Sequence, residues 1–227
     1  AFVPDTPATA VAEAKPLAIG IVAVAAGEGL RQVLESLGVH VVVPGGQTMN
    51  PSTEDLLQAV NETGAQSVLI LPNNKNIIGA AKQAAELASV PVAVIESQSL
   101  PQGVAAMLAF NPLVSLDDNR AAMEAALLGV RTGELTRAVR TTSVDGIPVV
   151  EGQVIGLVDG KLAVAGDELE PVLVDVLLRL GAETSEILTL YSGSGVSRDE
   201  ADAIVRSLGD RFPNASIELI EGGQPHY

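Results

Sequence analysis

The sequence predicts an α/β protein in two parts, a parallel Rossmann-like sheet followed by a smaller mixed-sheet α/β domain. Three observations predict it. From Leu17 to about Glu96, continuous apolar runs alternate with amphipathic stretches, the pattern of β-α-β units joined by right-handed crossovers. After Pro112 that alternation breaks, and Asp159-Gly160 sits between two short strand-like runs as a hairpin signal. Apolar residues make up 47% of the 227 positions and aromatics only 2%, so the core is built from Ala, Val, Leu and Ile.

The elements follow in order. Leu17–Ala25 is apolar throughout, as a strand buried on both faces should be. Glu28–Leu37 places Leu30, Val33, Leu34 and Leu37 at helical spacing, and Gly38 stops it. His40–Val43 is a second strand. Ser52 or Thr53 caps a helix running to about Thr63, with Glu54 and Asp55 in its first turn. Gln66–Leu71 is a strand, Asn76–Ala88 a helix and Pro91–Glu96 a strand. Leu100–Phe110 and Asp117–Thr132 read as successive helices that could pack on either part. Glu134–Thr142 alternates like a half-exposed strand, and Asp145-Gly146 is a turn. Gln153–Val158 and Lys161–Val164 flank the hairpin turn. Leu169–Leu180 is helical, Glu186–Tyr191 a strand, Ser197–Leu208 a helix and Ser216–Ile220 a strand. The expected divisions are a linker over 1–16, a parallel α/β domain over 17–112 and a mixed α/β domain over 113–227.

Composition excludes several functions. With no cysteine there is no disulfide, thiolate metal site or thiol nucleophile, and two histidines cannot form a histidine cage. Thirteen Lys and Arg against 28 Asp and Glu give a net charge of −15, the wrong sign for nucleic acid or an anionic membrane surface. Leu17–Ala26 is too short to span a bilayer. No transmembrane segment and a cytoplasmic location are expected. The Pro/Ala-rich opening Ala1–Pro16 has no basic leader and reads as linker, as in a piece of a longer chain. A processed or tagged full-length protein is the alternative.

No motif carries catalysis. Gly27-Glu28-Gly29 opens a helix after a strand, but Gln32 stands where a dinucleotide fingerprint has its third glycine. Residues 41–53 lack the expected acid. A tight turn is the better reading. Ser192-Gly193-Ser194-Gly195 is not a nucleophile elbow, although its amides could receive an anion at a helix start. His40 belongs to a strand edge, and His226 lies beside the last residue. An internal echo links strand, Gly27-x-Gly29, helix, strand and Gly45-Gly46-Gln47 to strand, Gly193-x-Gly195, helix, strand and Gly222-Gly223-Gln224.

The unusual feature is a set of amide-rich loops. Gln47, Thr48 and Asn50 follow the second strand, and Asn73, Asn74, Lys75 and Asn76 follow the third. Both loops fall at the carboxyl edge of the parallel sheet, where open α/β sheets bind ligands. Amides donate and accept, so such a cluster reads polar groups or backbone. Gln102 opens the next helix on the same edge.

These loops carry a resemblance. Gly45-Gly46-Gln47-Thr48-Met49-Asn50-Pro51-Ser52, Leu71-Pro72-Asn73-Asn74-Lys75-Asn76-Ile77-Ile78 and Leu100-Pro101-Gln102-Gly103 occur in order. Thr136-Arg137-Ala138-Val139-Arg140 and Gly222-Gly223-Gln224-Pro225-His226-Tyr227 follow. The chain resembles the C-terminal region of the catalytic component of bacterial fatty acid kinase, from a family long labelled dihydroxyacetone-kinase-like or Dak phosphatase. The resemblance implies a DegV-like fold and a role docking the fatty-acid-binding partner subunit. It implies that ATP and magnesium belong to an N-terminal domain outside this chain, where the acyl carboxylate is phosphorylated. No cofactor and no catalytic residue are then expected here. The partners are the rest of the kinase chain and the acyl-binding subunit, while a homodimer is admitted. Gln47, Thr48, Asn50, Asn73, Asn74, Lys75, Asn76 and Gln102 are the binding candidates. Arg140, Ser192, Ser194 and Gln224 are secondary. The rival reading is a lipid or small-molecule binder with an interdomain cleft. Met107 and Phe110 of the Leu100–Phe110 helix could line such a cleft, though ordinary core packing is preferred for them.

Overall fold

The computed structural model describes residues 17–46 and 49–225. The expected linker and the candidates Gln47 and Thr48 lie outside the described residues, as do His226 and Tyr227. The first half holds strands Ile19–Ala25 (β1), Val41–Pro44 (β2), Ser67–Leu71 (β3) and Val92–Val94 (β4). They form one parallel sheet in the order β2-β1-β3-β4. Helices Glu28–Ser36 (α1), Thr53–Glu62 (α2) and Ile78–Leu87 (α3) connect them, followed by Leu100–Ala109 (α4) and Leu116–Leu127 (α5).

Alternation on β1 sorts the core. Ile19, Ile21, Ala23 and Ala25 face a layer that includes Leu30 and Leu34 of α1, Met107 of α4 and Met123 of α5. Val22 and Val24 face the opposite layer, with Leu56 and Val60 of α2 and Ala81 and Ala84 of α3. Both faces of the sheet are therefore covered, as continuous apolar strands require. Met107 is ordinary core and Phe110 packs at its margin. The connection between α4 and α5 is tied by buried Asn119, whose Oδ1 accepts from the Asn111 amide and whose Nδ2 donates to the Asn111 carbonyl, each at 2.8 Å. Local chemistry sets the helix starts. Ser52 caps α2 in a reciprocal box with Asp55, while Ser99 caps α4 and Ser115 caps α5.

The second half corrects one expectation. It holds no single mixed sheet among the described residues. Gly133–Arg137 (β5), Val154–Val158 (β8) and Lys161–Gly166 (β9) form an antiparallel sheet in the order β5-β8-β9. Thr142–Val144 (β6) and Ile147–Val149 (β7) form a separate hairpin, and Ile187–Ser192 (β10) and Ser216–Glu221 (β11) a separate parallel pair. Connection chemistry sets the orientation within each of these sheets. Asp159 at φ 48° and Gly160 at φ 74° make the tight turn that forces β8 and β9 antiparallel. The helix Arg198–Arg211 (α7), capped by Ser197, makes β10 and β11 parallel. Helix Leu169–Leu180 (α6) lies on the antiparallel sheet. Gly133, Gly156 and Gly166 leave room there for Val172 and Val176, into which a Cβ would run. Both members of the sequence echo, β1-α1-β2 and β10-α7-β11, are parallel β-α-β units.

Candidate functional site

In the first sheet, the chain leaves β1 for β2 on one side and returns to β3 on the other. The carboxyl ends of β1 and β3 therefore flank the switch point at which such sheets bind ligands. Asn73 sits there in left-handed geometry, at φ 54°. Its Nδ2 donates to the Val24 carbonyl at 3.0 Å, bridging the ends of β3 and β1. Its Oδ1 accepts from the hydroxyl of fully buried Ser97 at 2.7 Å, and its own amide donates back to Ser97 Oγ at 3.0 Å. Gly103 makes room for this amide, since a Cβ there would overlap Asn73 Oδ1.

Phosphate binding at this edge would need the open N-terminus of α1. That terminus is closed by the chain itself. Leu30 N donates to Gly222 O at 3.2 Å. A Cβ on Gly27 or Gly29 would run into the backbone of Glu221–Gln224. The glycines that resemble a dinucleotide fingerprint thus admit this protein's own loop. The loop is held in turn by Ser192, whose carbonyl accepts from Gly222 N and Gly223 N at 3.0 and 3.1 Å.

Between the first sheet and the later elements lies a cavity of about 890 Å³. Val104 and Leu108 of α4, Leu173 and Leu177 of α6, Leu190 of β10 and Leu219 of β11 line it. Among its described liners Tyr191 is the sole aromatic, and Arg131 and Glu134 carry the only charges. Of α4, the stripe Leu100, Val104 and Leu108 faces the cavity while Met107 faces the core. A second, polar cavity of about 190 Å³ is lined by Asn74, Lys75, Gln102, Thr132, Glu134 and Asp159, among others. Burial pushes the Glu134 carboxyl above its usual range, and the nearby Lys75 charge partly offsets this. Arg131 pairs with Asp159 at 2.7 Å.

The structure brings some of the candidates together. Asn73 and Asn74 line the large cavity on one wall, and Ser192 and Gln224 line it on another. Asn74, Lys75 and Gln102 line the polar one. Asn74 is only 5% exposed, and its Oδ1 accepts from the Asn76 amide at 2.9 Å. Gln102 Oε1 accepts from the Gln98 amide at 2.7 Å, which helps close the start of α4. Gln224 Nε2 donates to the Tyr191 carbonyl at 3.0 Å, while its Oε1 is buried without a partner. Asn50, Asn76, Arg140 and Ser194 are exposed and line neither cavity. Thr132 and Glu134 were not legible as site residues, because Thr132 reads as the end of a helix and Glu134 as an ordinary polar position of a half-exposed strand. Among the described residues no three His, Asp or Glu side chains come together to hold a metal, and no helix is long and apolar enough to cross a membrane.

This architecture defines a doubly wound α/β protein with an apolar cleft at its switch-point edge. A solved Streptococcus pneumoniae structure, the Fatty Acid Kinase (Fak) B3 protein loaded with linoleic acid, shares the fold at a TM-score of 0.58 and 12% identity, covering 90% of this chain and 92% of that one. The family model for the FakA-like C-terminal region of fatty acid kinase matches residues 20–227, and the chain belongs to that family. Protein YloV of Bacillus subtilis is 39% identical over 208 residues, which are 92% of this chain and 38% of that protein. Protein SH1689 of Staphylococcus haemolyticus is 36% identical over 215 residues, 95% of this chain and 39% of that protein. The chain thus spans well under half the length of the relatives it matches.

Proposed function

We propose that this chain is the non-catalytic C-terminal module of a cytoplasmic fatty acid kinase, and that it docks the fatty-acid-binding subunit. On this reading ATP and magnesium bind the N-terminal portion of the longer protein, which phosphorylates the presented acyl carboxylate. The observation that carries the reading is family membership together with the self-closed α1 terminus. The edge that serves phosphates in related folds is filled here by backbone, which supports a scaffold role over nucleotide chemistry. Exposed Asn50 and Asn76, on loops beside the cavities, supply the contact surface. Native mass spectrometry of the chain mixed with the acyl-binding subunit should give a stoichiometric complex. Asn50→Ala with Asn76→Ala should weaken it. No complex with the wild-type chain sinks the reading.

The apolar cavity favours a second reading, that the cleft itself holds an apolar ligand. The Fak B3 protein of similar fold carries linoleic acid. A ligand mass on the chain alone would support this role.

A further inference from the structure

The two cavities adjoin, because both are lined by Asn74, Gln98, Ser99, Thr132 and Glu134. Together they make a space with an aliphatic body and, beside exposed Lys75, a polar mouth. We propose that this joined space binds a long-chain monocarboxylate, with its chain against α4, α6 and β10 and its carboxylate at the mouth beside Lys75 and Asn74. This rests on the second reading above and adds the head group, its position and its charge.

The body selects an aliphatic chain. A volume near 890 Å³ lies within the ~300–1,000 Å³ of small-molecule sites. Leu, Val and Ala dominate the wall, and Tyr191 alone offers a ring, so flat aromatic ligands find no stacking partner. The mouth selects the head. Lys75 makes no ion pair among the described residues. Asn74 lines the same space, and its amide nitrogen has no hydrogen bond among the described residues. Both favour an anion.

The anion is singly charged. Arg131, the cation that lines the large cavity, is held by Asp159. Glu134 stands in the same mouth, half-buried and without a side-chain hydrogen bond among the described residues. A carboxylate head shares a proton with Glu134, whose burial already favours the neutral form. A phosphate dianion brings a second negative charge against the same Glu134, and with Arg131 and Asp159 neutralising each other only the Lys75 ammonium offsets it. The mouth therefore prefers a fatty acid to a phosphorylated lipid.

Calorimetry and native mass spectrometry of this chain with oleate, oleyl alcohol and oleoyl lysophosphatidate test the proposal. Oleate should bind one to one and more tightly than the lysophosphatidate. Lys75→Ala should weaken oleate about tenfold, the scale of a lost charge-assisted hydrogen bond, and leave oleyl alcohol unchanged. Leu173→Trp, which fills part of the aliphatic body, should weaken both in a variant whose thermal unfolding midpoint shows it folded. The proposal is overturned if folded wild-type chain takes up no oleate, if the lysophosphatidate binds tighter, or if Lys75→Ala weakens acid and alcohol alike. Adding the acyl-binding subunit to the same spectra separates the readings. A complex without uptake of oleate overturns this proposal and leaves docking standing, while uptake without a complex does the reverse.

Discussion

The amide of Leu30 donates to the carbonyl of Gly222 at 3.2 Å, so a loop near one end of the described chain caps the first helix. The Gly27–Gly29 turn lets the two backbones approach at a distance no side chain would permit. A motif that reads as a weak nucleotide fingerprint is thus a packing device. The same contact joins the parallel first sheet to the β10–β11 pair without any shared strand.

Gly29→Ala should destabilise the fold by about 1–3 kcal/mol, the usual cost of overpacking. Its Cβ would overlap the Glu221 carbonyl oxygen. Gly79→Ala is the control, since a Cβ there meets nothing within 4 Å. At the second position of α3, it should be stabilising by at most about 0.5 kcal/mol, the lower end of the mid-helix gain. Urea unfolding of the two variants should therefore move in opposite directions.

Asn73→Ala removes the bridge to Val24 and the acceptor for Ser97. Buried groups left unpaired cost about 1–3 kcal/mol each, so a loss of about 2–3 kcal/mol is expected. Gly103→Ala should cost a similar amount by driving out the same amide. The double variant should lose less than the sum, because the overlap disappears with the amide. Additive losses in a double-mutant cycle would contradict the assigned geometry.

His40 Nδ1 accepts from the Ile21 amide at 3.1 Å, which requires that nitrogen to be unprotonated. Burial lowers the ring's pKa from 6.5 in the folded state. The unfolded chain then binds the proton more readily, so this stability is complete above pH 6.5 and lost as pH falls through the window below it. The effect is small, because one side of the ring meets solvent. His40→Asn keeps an acceptor without the titration, and its thermal midpoint should fall less than that of wild type between pH 7 and pH 5.

Glu134 behaves in the opposite sense. Its folded pKa is raised above 4.5, so the folded state holds the proton more tightly and stability declines as pH rises through that window. Glu134→Gln should raise the thermal midpoint at pH 7 by about 2 °C, the shift for a fraction of a kcal/mol in a chain of this size. It should give no gain well below pH 4.5. Equal gains at both pH values would mean that the carboxyl is not desolvated.

Much of the fold was legible because its signals are local. The all-apolar β1, the Ser52 box and the Asp159-Gly160 turn each identify an element from a few neighbouring residues. That the second-half strands fall into separate sheets was not legible, since pairing between distant strands leaves no periodic trace. The site divides in the same way. Asn73, Asn74 and Lys75 announce themselves as amide-rich punctuation after β3, yet Asn73 turns inward to Val24 and Ser97. Glu134 carries no such mark, because its environment is made by Lys75 and Asn74 from a remote part of the chain. The wall of the large cavity was hidden too, as Leu173 and Leu177 share the periodicity of any helix on a sheet.

The Gly222 cap also sets the order in which the protein can be finished. During translation β1 and α1 emerge long before the loop that completes them, so the nascent helix carries an open, solvated end. Closing that contact spans most of the chain, and such long-range closures slow folding. Once closed, it couples early and late segments, so heat should melt them as one cooperative unit rather than as halves.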